Sequence, residues 1–275
     1  MSHPEANIRV KVDVTNPGQF FACCGLLELA DRLWPGAEGW FEEGVFCVAC
    51  EGTLLEALSL LVSYPAKEIL KIESNGLEVR PLIAPLSIPL ADDGKPALHL
   101  DAWTVTRMYK GTAVVAANPP WNFWSGQQTS CGIWNGLRAT LEAQLPKLDR
   151  SQLADVFSNR VFQKGRFGFD PGPAWNALDV GFSPNEQGLE VESSAVVELL
   201  AAIGIQRFRP VVSDDRESFD YSTWGQPLPP CIAFAAISGE MNSPPSERFR
   251  GYVVSRGQYA ALTFSHPLRK GNSHE

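Results

Sequence analysis

Cysteines and histidines are the residues of this 275-residue chain best suited to metal binding or nucleophilic catalysis. Cys47 and Cys50 have the Cys-x-x-Cys spacing found in zinc and redox sites. A zinc site needs four ligands, and the sequence has neither a second such pair nor two closely spaced histidines. Both cysteines also fall in a predicted strand, where they point to opposite faces. The pattern therefore favours buried thiols, and we expect no metal or other cofactor.

A thiol-dependent enzyme is one alternative, with Cys24 or Cys131 as the nucleophile and His99 or His266 as its base. No local signature of a cysteine enzyme accompanies these residues. The chain also lacks the G-x-x-x-x-G-K-[ST] loop that binds nucleotide phosphates. We therefore expect a protein without catalytic residues.

A basic, aromatic segment gives the stronger chemical indication. Residues 164–169 read Lys164-Gly165-Arg166-Phe167-Gly168-Phe169. The segment resembles the K/R-G-F/Y-G/A-F strand motif of RNA-recognition domains, in which aromatic rings stack on bases and a basic residue holds phosphate. Arg166 is an extra residue in this match, and it would exchange the faces of the two phenylalanines. A core strand with solvated basic side chains is the alternative.

Two further cations flank Phe208 in a segment that we predict to be an extended strand, residues 205–210. Arg207 and Arg209 would lie on the same side of that strand, because alternate residues share a face. Lys164, Arg166, Phe167, Phe169, Arg207 and Arg209 are therefore the candidate nucleic-acid-binding residues. Arg248, Arg250 and Arg256 are additional cations in the same part of the chain.

Residues 118–126 form an aromatic loop that contains Trp121, Phe123 and Trp124. Tryptophan is mostly found in cores and at protein interfaces. We predict that these three residues form a packing or subunit interface rather than a base-stacking surface.

The elements that position these residues begin with an alternating strand, residues 8–14, and an amphipathic helix, residues 16–34. Gly25 lies in the middle of this helix, which indicates close packing against another backbone. A hairpin over residues 38–50, a second helix that starts after Thr53 and two strand-like runs follow. The two runs are residues 68–72 and 77–82. This β-α-β-β-α-β order predicts a ferredoxin-like front part in a protein of the α+β class.

Prolines are frequent over residues 81–96, where we expect a connection and a domain boundary near residue 95. The predicted parts are residues 1–95 and 96–275, although one continuous domain is also consistent with the sequence. The second part should be mixed and mostly antiparallel. Its predicted helices are residues 132–145, residues 152–158 and a helix that Ser193 or Ser194 caps and Gly204 ends. Its predicted tail strands are residues 231–238, 249–255 and 258–265.

The net charge of −8 is unevenly distributed, with −7 on residues 1–100 and −1 on residues 101–275. A basic surface must therefore be a local patch in the second part of the chain. The sequence has no apolar run long enough to span a membrane, and its N-terminus lacks the features of a signal peptide. We expect a cytoplasmic protein without membrane contact.

Four blocks of the chain resemble a known family. They are residues 16–30 (NPGQFFACCGLLELA), 166–171 (RFGFDP), 175–184 (WNALDVGFSP) and 198–210 (ELLAAIGIQRFRP). With these blocks the chain is similar to CRISPR-associated proteins of type I-U, also called type I-G, in the large-subunit-like family of the Csb group. None of the blocks is a catalytic motif.

The resemblance implies a non-catalytic subunit of an RNA-guided surveillance complex in antiviral defence. Its expected partners are the other effector subunits, guide RNA and target DNA. In such complexes base pairing supplies sequence specificity, and the proteins mainly contact the nucleic-acid backbone. The acidic first hundred residues are better suited to docking on basic protein neighbours. A protein-interaction subunit without nucleic-acid contact and a thiol-dependent enzyme are the alternative functions.

Overall fold

The structure is a computed structural model that describes residues 3–69, 78–79, 85–102, 104–117, 123, 128–171, 191–239, 241, 246–256 and 259–268. The helices of this part of the chain are α1 (Pro17–Leu33), α2 (Leu54–Ser63), α3 (Ser130–Gln144), α4 (Arg150–Ala154), α5 (Ala195–Arg207) and α6 (Pro230–Ala236). Short 3-10 turns follow α3 and α4, at Leu145–Lys147 and Val156–Ser158.

The strands of the described residues form several small sheets. They are β1 (Ile8–Lys11), β2 (Glu38–Glu42), β3 (Val45–Ala49), β4 (Lys67–Glu68), β5 (Glu78–Val79), β6 (Leu86–Pro89), β7 (Ala97–Leu100), β8 (Thr104–Tyr109), β9 (Thr112–Ala117), β10 (Val161–Gln163), β11 (Val191–Ser193), β12 (Val211–Val212), β13 (Ser218–Ser222), β14 (Arg248–Arg256), β15 (Tyr259–Leu262) and β16 (His266–Leu268). Helices and mainly antiparallel sheets confirm the predicted α+β class.

Side-chain caps explain why the main helices begin where they do. The Asn16 side chain accepts a hydrogen bond from the backbone N–H of Gln19 at the start of α1, at 3.2 Å. Thr53 and Glu56 form a reciprocal capping box on α2. Ser194 accepts from the N–H of Val197 and begins α5, as predicted.

The front part keeps the β1-α1-β2-β3-α2 order expected of a ferredoxin-like unit. Its sheet has the strand order β1-β3-β2, with both pairs antiparallel. The two later strands differ from the prediction. β4 pairs with β6 rather than joining the front sheet, and β5 pairs in parallel with β9.

The proline-rich segment also differs from the prediction, because it includes a regular element. β6 and β7 form an antiparallel hairpin across residue 95, and Pro89 is the last residue of β6. Proline is tolerated at the end of a strand, where its missing N–H breaks no internal ladder. The expected boundary near residue 95 thus falls in the turn of a hairpin.

Helices α1 and α5 lie against each other at two glycines. A Cβ atom added to Gly25 would be 1.8 Å from the carbonyl oxygen of Leu200, and one added to Gly204 would be 2.1 Å from that of Phe21. Only glycine allows the two backbones to approach this closely. The prediction that another backbone packs at Gly25 is confirmed. Gly204, predicted to end α5, instead lies inside a helix that continues to Arg207.

Helix α1 is buried on all sides along residues 17–30, which corrects its prediction as an amphipathic helix with a polar face. Its aromatic residues contact both halves of the chain. The Phe20 ring lies 5.5 Å from that of Phe41 in β2 and 4.3 Å from that of Tyr221 in β13, between ring centroids. One buried apolar cluster therefore includes residues from both sides of position 95.

The last part of the chain forms a sheet with the order β12-β13-β14-β15, and β16 pairs with residues 248–250 of β14 on the edge opposite β13. Residues 231–238, predicted as a strand, instead form most of α6 and the turn after it. Pro230 is the first residue of this helix, where the N–H that proline lacks would have no hydrogen-bond partner within the helix. The apolar run alone does not distinguish a short helix from a strand.

Candidate functional site

The segment predicted to resemble an RNA-binding strand has a different structure. Residues 164–170 leave the sheet after β10, and only Lys164 at its start is fully exposed. Phe167 and Phe169 are buried in the core, at 3% and 0% exposure. Because neither ring presents a face to solvent, the prediction that they stack on bases is corrected.

Arg166 in the same segment is partly buried. Burial is the main cause that lowers the pKa of its guanidinium, while the Glu198 carboxylate opposes that shift. Glu198 in turn accepts hydrogen bonds from the backbone N–H groups of Gly168 and Asp170, at 2.8 and 3.1 Å. Burial raises the pKa of Glu198. Arg166 is therefore partly buried and under the influence of an internal carboxylate, and its predicted role as a phosphate contact stays a prediction.

Asp170 ties the same segment to the start of α1. Its Oδ1 accepts from the Asn16 side-chain amide at 3.0 Å and pairs with Arg160 Nη2, also at 3.0 Å. A Cβ atom on Gly18 would lie 2.5 Å from the carbonyl oxygen of Phe169. The sequence block that resembled a binding motif thus fastens the N-terminal ends of α1 and α5 together.

Arg207 and Arg209 remain at the surface, although the extended strand predicted for them is absent. Arg207 is the last residue of α5, and Phe208 between the two cations is fully buried against Trp224. Both arginine side chains line one surface cleft. The structure therefore brings these two predicted residues together and separates them from Lys164 and Arg166.

We name this depression the arginine cleft and define it by Arg32, Arg207, Arg209 and Phe234. It has a volume of about 860 Å³. The C-terminal ends of α1 and α5, β7 with the two residues after it, and α6 form its walls. Its apolar lining includes three core side chains, Leu98, Leu100 and Ile203.

Glu28 orients two of the arginines in the arginine cleft. Its carboxylate lies 2.8 Å from Arg207 Nε and accepts a hydrogen bond from Arg207 Nη2 at 3.1 Å. Arg32 Nη2 lies 3.5 Å from the same carboxylate. Glu28 itself is only 8% exposed. A bidentate pair of this kind holds a guanidinium in one orientation. The arginines are nevertheless accessible, since the Arg32 and Arg207 side chains are each 42% exposed.

Arg209 holds another wall of the arginine cleft in place. Its Nη2 donates to the carbonyl oxygen of Ala102 at 2.6 Å. The N–H of Ala102 donates to the side-chain oxygen of Gln206 at 3.1 Å. These two bonds fasten the chain after β7 to the end of α5.

The charge of the arginine cleft is opposite in sign to that of the whole chain. Three arginines line it against two carboxylates, Glu28 and Asp101, whereas the chain has a net charge of −8. Guanidinium groups bind phosphate and carboxylate groups through paired N–H donors. The cleft is therefore suited to an anionic ligand that also has an apolar or aromatic part.

Sequence reasoning missed Arg32, His99 and Phe234 as residues of this site. Arg32 had a local signal, because it follows Glu28 by one helical turn. No local signal indicated Phe234, because its segment was predicted as a strand. His99 lines the same cleft from β7.

Among the additional cations of the tail, Arg248 and Arg250 lie apart from the lining of the arginine cleft. Arg250 Nε and Nη2 pair with the two carboxylate oxygens of Asp220 at 2.7 and 2.8 Å, and Arg248 Nη2 lies 3.0 Å from the same carboxylate. The hydrogen bond from Arg250 is the main cause that lowers the pKa of Asp220.

Trp121 and Trp124 of the predicted interface lie outside the described residues. Phe123 is half-buried, and its ring meets that of Phe169 edge-on at 6.4 Å between centroids. The interface role of all three residues stays a prediction.

The cysteines proposed as nucleophiles lie in unfavourable surroundings for that role. Cys24 is buried in α1, and burial raises the pKa of its thiol well above the usual value. Burial also raises the pKa of Cys131, whose sulfur donates to the carbonyl oxygen of Ala66 at 3.5 Å. Thiolate character is what makes a cysteine nucleophilic, and a raised pKa reduces it.

Among the described residues, no group of three histidine, cysteine or acidic side chains is arranged to hold a metal ion. Within the same residues, every helix is too short or too polar to cross a lipid bilayer. Comparison of the chain with protein families, with curated proteins and with solved structures finds no match.

Proposed function

We propose that this protein is a non-catalytic, cytoplasmic subunit of a type I CRISPR surveillance complex and contacts nucleic acid through the arginine cleft. The convergence of Arg32, Arg207 and Arg209 in one accessible cleft of an acidic protein is the observation that supports the proposal. Backbone phosphates are the common anion of guide RNA and target DNA, and arginine is well suited to bind them.

The acidic front part is consistent with a protein that works inside an assembly. A net charge of −7 on residues 1–100 repels free nucleic acid and attracts basic protein neighbours. We therefore propose that neighbouring subunits strengthen the nucleic-acid contact, while the arginine cleft supplies a local site for it.

A salt series on two arginine variants tests this proposal. We expect Arg32→Gln/Arg209→Gln to weaken binding of single-stranded RNA and DNA, because two phosphate contacts are lost. The slope of log affinity against log salt concentration should fall by about 1.4 for a single strand. Binding is measured by fluorescence anisotropy, for the chain alone and with its neighbouring subunits.

The matched control is Arg150→Gln/Arg216→Gln, which removes the same charge from two exposed arginines outside the cleft. It should leave the salt slope close to that of the native protein. Equal slopes for the cleft pair and the control pair would contradict nucleic-acid contact at this site.

A protein-interaction subunit is the second candidate, and the surface of α6 favours it. Ile232 and Phe234 are 44% and 46% exposed on this short helix, and exposed apolar side chains on one element are typical of a docking surface. Under this alternative, α6 gains protection from hydrogen exchange when the neighbouring subunits bind, and neither arginine pair changes the salt slope.

A further inference from the structure

We infer that the arginine cleft holds an unpaired nucleotide, with its base against the ring of Phe234 and its phosphate on the arginine wall. The inference rests on the proposed function and names the form of nucleic acid that this site would select.

Phe234 is exposed on a helix that is otherwise well anchored. Its neighbours Ala233 and Ala236 are buried, at 0% and 2% exposure. The carbonyl oxygen of Ile237, just after α6, accepts a hydrogen bond from the N–H of Ser222 in β13 at 2.9 Å. The helix that carries the ring is therefore fixed beside the cleft, and binding needs little ordering of the protein backbone.

Arginines and an aromatic ring in one groove are the combination that binds single strands. In such proteins the cations follow the phosphates, and successive bases stack on aromatic side chains. In a duplex the faces of each base are covered by its neighbours, so a ring at the cleft has no base face to contact. The Phe234 ring therefore favours an unpaired base.

The size of the cleft agrees with a nucleotide as its occupant. A volume of about 860 Å³ lies within the range of about 300 to 1,000 Å³ for small-ligand sites, and it far exceeds the space that a lone phosphate needs. Leu98, Leu100 and Ile203 of the lining are themselves buried, and Phe234 is the exposed apolar ring that a base would contact. Arg32 and Arg207 share the carboxylate of Glu28, so the cleft retains positive charge for a phosphate.

Replacement of the ring tests the inference. We expect Phe234→Ala to lower the affinity for single-stranded RNA about tenfold, because loss of one base-stacking contact has about this effect. The affinity for an RNA duplex and the salt slope should not change. Phe234→Tyr should restore single-strand binding, since it keeps the ring. The probes are labelled oligoadenosine RNA and a blunt RNA duplex, with the chain alone and with its neighbouring subunits.

Ile232→Ala is the matched control, because Ile232 is on the same helix with similar exposure but does not line the cleft. It should bind both probes as the native protein does. If Phe234→Ala behaves like this control while Arg32→Gln/Arg209→Gln reduces the salt slope, base stacking is refuted and backbone contact remains. If neither the ring nor the arginine pair affects binding, the proposed function fails as well.

Discussion

Two arginines of this chain show how the surroundings of a side chain decide the role of its charge. Arg166 is partly buried and its pKa responds to the Glu198 carboxylate, whereas Arg207 shares the carboxylate of Glu28 at the edge of a cleft. A mostly buried cation offers few N–H donors to a ligand that approaches from solvent. A half-exposed cation keeps N–H donors for a ligand. Arg207 is therefore the one of this pair that suits binding.

The ion pairs of Asp220 predict how the free energy of unfolding depends on pH. Asp220→Asn should lower the free energy of unfolding by about 1 to 2 kcal/mol at pH 7, a moderate value because Arg248 and Arg250 are partly exposed. The arginines lower the pKa of Asp220 in the folded state, below an unfolded value of about 3.9. Its contribution is therefore fully present above about pH 4 and is lost as pH falls through the folded pKa.

Urea unfolding of both proteins between about pH 3 and pH 7 measures this difference. Asp214→Asn, in the exposed turn after β12, is the control and should stay within about 0.5 kcal/mol of the native protein at each pH. A difference between Asp220→Asn and the native protein that grows toward low pH would contradict the assigned ion pair.

At the scale of elements, the contact between α1 and α5 is the feature on which the arginine cleft depends. The N-terminal ends of both helices hold residues 168–170, and their C-terminal ends are joined by Glu28 and Arg207. The two helices therefore run side by side in the same direction. A change in their separation would move the arginine cleft as well as the core.

Gly25→Ala tests this helix contact. The added Cβ would meet the backbone of Leu200, which has no flexible end that can move aside. We expect a loss of about 3 kcal/mol or more in the free energy of unfolding, at the upper end for overpacking. The measurement is urea unfolding followed by far-UV circular dichroism.

Gly136→Ala is the control, since Gly136 lies in α3 with open space where its Cβ would be. It should stabilise the protein by about 0.5 to 1 kcal/mol through helix propensity alone. A Gly25→Ala protein as stable as the native one would contradict the close approach of α1 and α5.

At the scale of the whole molecule, the front and back parts share their interior. Trp224 Nε1 donates to the carbonyl oxygen of Gly39 at 2.7 Å, and the Tyr221 hydroxyl donates to that of Val14 at 2.8 Å. Burial also raises the pKa of Tyr221, so its hydroxyl stays protonated as the donor. These bonds join the last sheet to the first across about two hundred residues of sequence.

We therefore expect residues 1–95 alone not to fold cooperatively. Without α5 and β13, the apolar surface of α1 that faces Leu200 and Tyr221 would be exposed to water. The full chain should unfold in one transition, with tryptophan fluorescence and circular dichroism changing together. A fragment 1–95 with dispersed amide resonances and a sigmoidal urea transition would contradict this expectation and support a separate front domain.

Local signals in the sequence predicted where several helices start, because the residues at those starts favour helix capping. The helices predicted near residue 16, after Thr53 and after Ser193 or Ser194 begin as expected, because a cap is decided by residues close in sequence. The prediction of close packing at Gly25 was also correct. A glycine inside a helix lowers the stability of that helix, and close packing against another backbone offsets the loss.

Arg166, Phe167 and Phe169 show where local signals are insufficient. Residue type alone does not distinguish a base-stacking phenylalanine from a core phenylalanine, because both roles use the same ring and differ only in exposure. The Glu198 carboxylate that acts on the pKa of Arg166 is thirty-two residues away in the chain, and no local pattern identifies such a neighbour.

The sequence by itself determined the α+β class, the starts of α1, α2 and α5, the glycine contact and the presence of cations at Arg207 and Arg209. Only the tertiary structure decided which cations are accessible and that Arg32, Arg207, Arg209 and Phe234 meet in one cleft. The physical reason is that caps and propensities act between residues close in sequence. Burial and the convergence of charges, in contrast, depend on contacts between residues distant in the chain, which exist only once α1, α5 and α6 have packed.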